Sequence, residues 1–92
     1  MFNNICNIIV DVTKGKVKTK LWARMPSFYI EEKYVRLIPF KDHINIEASA
    51  IVDYKNKLSA YKISSKGMLK IYMNQSIPEE ILRMVIIDSI LN

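Results

Sequence analysis

The sequence predicts an α+β fold: an antiparallel β-sheet of about five strands with helices packed on one face. Three observations predict it. Apolar and polar residues alternate with period two through the middle of the chain, as half-buried strands require. Helix-spaced apolar residues stand at the two ends, in 2–12 and 81–91. Short polar turns separate the middle strands, so neighbouring strands run antiparallel and the helices must cover a shared face. At 92 residues there is room for one core, and 1–92 is read as a single domain.

The first element, residues 2–12, places Phe2, Ile5, Cys6, Ile9 and Val12 on one side of a helix and Asn3, Asn7 and Asp11 on the other. Gly15 is its stop signal. In "KVKTKLW" Lys16, Lys18 and Lys20 alternate with Val17, Thr19 and Leu21, the pattern of a half-buried strand. Pro26 removes a ladder donor, which predicts a bend, bulge or edge position. "SFYI" and "YVRLIPF" form a hairpin about a polar turn at 31–33, and Pro39 limits pairing on one side. After a tight turn at Lys41 and Asp42 comes the clearest alternation: Ile44, Ile46 and Ala48 face one way, and His43, Asn45 and Glu47 the other.

Ser49 is placed to cap a helix running to about Leu58. "SSKG" is a loop, and in "MLKIYMN" Leu69, Ile71 and Met73 oppose Met68, Lys70 and Tyr72. Ser76 and Glu79 have capping-box spacing, with Pro78 in the first turn of a final helix. From Ile81 to Leu91 that helix is apolar almost all round, so it needs cover on most sides. Either the first helix supplies the cover or a second copy does, and the expected assembly is a monomer or a homodimer.

The charge balance is +5, and it is unevenly distributed. Between Asp11 and Glu31 stand Lys14, Lys16, Lys18, Lys20 and Arg24 with no acid. The run reads in two ways: a patch that attracts phosphate or another anionic partner, or a solvated strand face whose lysines block edge-to-edge aggregation. The lone Cys6 forms no internal disulfide, and no apolar run approaches the ~20 residues that span a bilayer. No signal-peptide pattern is seen at the N-terminus, so the expected location is the cytoplasm, away from the membrane.

Catalytic patterns are lacking. Two glycines cannot build a P-loop or a dinucleotide fingerprint, and no nucleophile-elbow motif occurs. Glu31–Glu32 read as turn residues, and Glu79–Glu80 suit the positive end of a helix dipole. No enzyme is expected. His43 and Glu47 are the weak metal-ligand candidates, but on one strand they stand about 13 Å apart, too far for one ion without ligands from elsewhere. The remaining candidate is the outer sheet face, where Lys16, Lys18, Lys20, His43, Asn45, Lys70 and Tyr72 mix cations with an aromatic ring. Nucleic-acid-binding sheets share that pattern, although no RNP-type motif is present.

Three stretches, "WARMPSFY" (22–29), "PFKDHINI" (39–46) and "YKISSKGMLKIYMNQSIPEEILRMVI" (61–86), resemble the YdhG-like domain family of small bacterial proteins. The matching positions are Trp22, Met25, Pro26, Phe28, Lys41, His43, Lys66, Gly67, Ile77 and Pro78. The resemblance implies a cytosolic α+β domain, here shortened at its N-terminus. It points to Trp22, Lys41, His43 and Lys66 as family-motif candidates for ligand binding. Some members are described as frataxin-like iron chaperones, which would make iron the cargo and iron-cluster or haem assembly proteins the partners. This chain departs from that picture in charge: it is basic and its nine acids are dispersed, whereas surface-bound iron calls for clustered oxygen ligands.

Overall fold

A computed structural model describes residues 1–22 and 25–92, the Trp22 side chain excepted. Arg24 of the basic run therefore lies outside the described residues. Helix α1 (Phe2–Val12) leads into strands β1 (Lys18–Trp22), β2 (Met25–Ile30), β3 (Lys33–Pro39) and β4 (His43–Glu47). A 3₁₀ segment (Ile51–Leu58) follows, then β5 (Lys62–Ile63), β6 (Leu69–Tyr72) and helix α2 (Glu79–Ile86), which continues as a π-helical turn over Ile87–Leu91. The six strands pair antiparallel in the order β1-β2-β3-β4-β6-β5. The fold is α+β, as expected.

The period-two pattern decides which face is covered. Val35, Leu37, Ile44, Ile46, Leu69 and Ile71 are completely buried on one side, against Ile5 and Ile9 of α1 and Leu82, Val85 and Ile86 of α2. Each such burial contributes about 1.5–3 kcal/mol, so slipping any strand by one residue would move this whole set into water. Helix α2 packs on α1 and on the 3₁₀ segment, and the π turn packs on β2 and β3. The apolar cover that α2 requires is thus supplied largely within the chain, leaving Met84 and Leu91 as its exposed apolar remainder.

Helix α1 ends as its sequence implies. The Thr13 hydroxyl donates to the Ile9 carbonyl at 2.8 Å, and the Gly15 N–H returns to the Val10 carbonyl at 2.9 Å. Gly15 has φ +74, a left-handed conformation that glycine adopts freely. At Pro26 the strand pairs with β1, but its pairing to β3 begins only at Ser27, so the proline stands where an interior strand is paired on one side only, a local edge.

Five local expectations are corrected. β1 begins at Lys18, so Lys16 lies in the connection before it. β1 is not half-buried: Thr19 and Leu21, on its helix-side face, are both exposed, because β1 is the outermost strand of the sheet and lies beyond the helical cover that reaches β2. Ser49 does not cap a helix. The Ala50 N–H instead donates to the Ser89 hydroxyl oxygen at 3.0 Å, and the following segment is 3₁₀, broken at Tyr54 (φ −108, ψ 15). The Ser76–Glu79 capping box does not form: Pro78, at ψ 72, is the N-cap, and Glu79 bonds forward to Arg83 at 3.3 Å. A short strand, β5, pairs with β6 at residues that the sequence assigned to no element, two residues being too few to display a period.

Candidate binding face of the sheet

The face opposite the helices is laid out by strand register, since directly paired residues point to the same side. One cross-strand row reads Lys18, Tyr29, Tyr34, and the next Lys20, Ser27, Arg36, Glu47. The third reads Ile38, Asn45, Lys70, Lys62, and the fourth pairs His43 with Tyr72. The sequence thus placed Lys18, Lys20, His43, Asn45, Lys70 and Tyr72 on a common face correctly.

The middle of that face is self-satisfied. Glu47 accepts the Tyr34 hydroxyl at 2.6 Å and pairs with the Arg36 guanidinium at 3.2 Å, while Arg36 Nε donates to the Ser27 hydroxyl at 2.9 Å. Arg36 also lies 4.8 Å from the Tyr34 ring centre. The bond to Glu47 holds the Tyr34 phenol above its ordinary pKa, with burial adding to the effect. Glu47 is engaged by both partners, and four residues along one strand, about 13 Å, keep it from sharing an ion with His43. Among the described residues, no three His, Cys, Asp or Glu side chains are grouped so as to hold a metal.

The flank near the β3–β4 turn is different. Phe40 closes that turn, its N–H bonded to the His43 carbonyl at 2.8 Å. Its ring stacks on the His43 imidazole at 4.5 Å and 13°. Tyr72 meets the other side of His43 at 5.7 Å, tilted by 56°. The Lys70 and Lys62 ammonium groups stand 5.7 and 5.9 Å from the Tyr72 ring centre. His43 Nδ1 lies 2.6 Å from Asp42 Oδ1, and this bond depresses the Asp42 carboxyl below the usual carboxylate range. With Nδ1 engaged, Nε2 is the ring nitrogen left to meet a ligand. Asn45 Oδ1, in the adjoining row, is enclosed without a hydrogen-bond partner among the described residues.

Comparison with protein-family models, with curated proteins and with solved structures finds no match to this chain.

The four family-motif candidates are not gathered into one place. Lys41 is exposed in the turn beside His43, whereas Lys66 sits in the β5–β6 turn at the opposite end of β4. Trp22 belongs to β1, three strand spacings or about 14 Å from β4, and its side chain lies outside the described residues. Phe40 and Lys62 are the members that sequence reasoning missed. Phe40 follows Pro39 at a turn, outside any alternating run, and Lys62 depends on recognising β5.

Proposed function

We propose that this chain is a non-enzymatic binding domain of the YdhG-like kind, acting in the cytoplasm, whose uncovered sheet face takes single-stranded nucleic acid. One observation carries the reading: the layered Phe40–His43–Tyr72 cluster with Lys62 and Lys70 beside it. A base can stack on the outer side of Phe40, which is 48% exposed, while its phosphates meet the lysines. Lys18 and Lys20 flank the far side, four strand spacings or about 19 Å from β6, so a backbone crossing the face meets cations at both edges. The salt-bridged Arg36–Glu47 centre between them neither attracts nor repels strongly.

Iron delivery, which the family resemblance implies, draws less support. Hard oxygen ligands would have to converge, and Glu47 is held by Arg36 and Tyr34 while Asp42 is held by His43. Fluorescence anisotropy against single-stranded DNA and RNA tests the proposal. Binding that weakens as salt rises supports it, and no binding even at low salt rules it out.

A further inference from the structure

At the opposite end of β4 from His43 lies a half-open cleft of about 350 Å³ with both polar and apolar lining. The β2–β3 turn, the end of β4, the β5–β6 turn and the π turn after α2 meet there, and it is lined by Glu32, Lys33, Glu47, Ser49, Lys66 and Ser89 among others. The two turns flank β4 on either side, so Glu32 and Lys66 stand at least two strand spacings, about 10 Å, apart.

The wall chemistry is two-sided. Ser89 is only 4% exposed, and its oxygen accepts the Ala50 N–H. Among the described residues its hydroxyl proton has no acceptor, so it is a buried donor at the cleft wall. Ser49 adds a second hydroxyl, and Lys66 adds an ammonium that makes no ion pair among the described residues. On the other side, each Glu47 oxygen holds one donor and retains room for another, and Glu32 is likewise without an ion-pair partner among the described residues. Lys33, whose ammonium donates to the Asn92 carbonyl at 2.7 Å, is a second cation in the lining. A simple anion in this space would face Glu32 and Glu47, and a simple cation would face Lys33 and Lys66. A molecule carrying both charges satisfies both walls.

We infer that this cleft binds a small zwitterion, a free α-amino acid, with its carboxylate on Ser49, Ser89 and Lys66 and its ammonium toward Glu47 and Glu32. The volume is at the low end for ligand pockets, which suits a ligand of amino-acid size. The cleft shares Tyr34 and Glu47 with the outer sheet face but lies at the opposite end of β4 from the Phe40–His43–Tyr72 cluster, so neither binding requires the other.

The test is an amide-resolved NMR titration of the whole chain with the standard amino acids at millimolar concentration, with acetate, methylamine and inorganic phosphate as single-charge controls. An amino acid should shift the Ser49, Gly67 and Ser89 amides while the controls leave them in place. Lys66→Ala, a change at an exposed turn that leaves the core intact, should weaken that binding about tenfold, the loss expected for one charge-assisted contact. The inference is overturned if no amino acid shifts these amides, if acetate or phosphate shifts them as far, or if Lys66→Ala leaves the affinity unchanged.

Discussion

Asp42 Oδ1 lies 2.6 Å from His43 Nδ1, and the imidazole so oriented is stacked against Phe40 at 4.5 Å. A carboxylate fixes the histidine's edge and a ring fixes its face. The arrangement explains why the only histidine of the chain, at the first position of β4, has a side chain just 15% exposed on a sheet face that no helix covers. His43 is part of a platform; it is not a solvated decoration of the strand.

The pair sets a pH dependence. Asp42 binds its proton less tightly folded than unfolded, because the bond to His43 favours the carboxylate. Its contribution to stability is therefore fully present above the unfolded value of about 3.9 and is lost as pH falls through the lower folded value. NMR titration of the Asp42 carboxyl should show a midpoint below the ordinary range, returning to it in His43→Ala. An unshifted midpoint in the native chain would show that the bond does not persist in solution.

Ser89 is expected to matter for stability as well as for the cleft. Ser89→Ala leaves the buried Ala50 N–H without its acceptor and should cost about 1–3 kcal/mol in urea unfolding. Ser49→Ala, at the position that the sequence marked as the cap, should cost far less, since Ser49 caps nothing here.

That contrast shows how far the sequence could be read. The alternation of Ile44 and Ile46 with His43, Asn45 and Glu47 is a local, period-two signal, and it placed β4, its buried side and its outer side correctly. The Ala50–Ser89 bond joins residues 39 apart, and no local pattern reports such a partner. The same holds for Pro78: Ser76 and Glu79 have capping-box spacing, but the Ser76 carbonyl receives the Tyr61 hydroxyl and Glu79 turns to Arg83, itself bonded to Asp11 at 2.6 Å. Tertiary bonds outweighed the local rule. Of the candidate site, the members on β1, β4 and β6 were legible from their alternation, whereas Tyr34 and Arg36 on β3, Phe40 at a turn and Lys62 on a two-residue strand were not.

Phe40→Ala should weaken single-stranded nucleic acid binding by about 1–3 kcal/mol, the range for removing one stacking ring. Because Phe40 is half exposed, the far-UV circular dichroism should stay unchanged. Affinity equal to that of the native chain would remove Phe40 from the binding surface.

Anaerobic titration with Fe(II), followed by NMR line broadening, separates the iron reading from the present one. His43, Glu47 and the Glu31–Glu32 turn should stay sharp at millimolar iron, because their carboxylates are dispersed or already paired. Selective broadening at His43 and Glu47 would return iron to the account.

The central claim is that Lys62 and Lys70, beside the Phe40–His43–Tyr72 cluster, hold nucleic-acid phosphates. The most direct measurement is the slope of log affinity against log salt for a single-stranded oligonucleotide, compared between the native chain and the Lys62→Ala, Lys70→Ala double variant. Each phosphate contact contributes about −0.7 to that slope, so the native slope should be negative and the variant's shallower by about 1.4. Identical slopes, or no binding by the native chain at low salt, would contradict the claim.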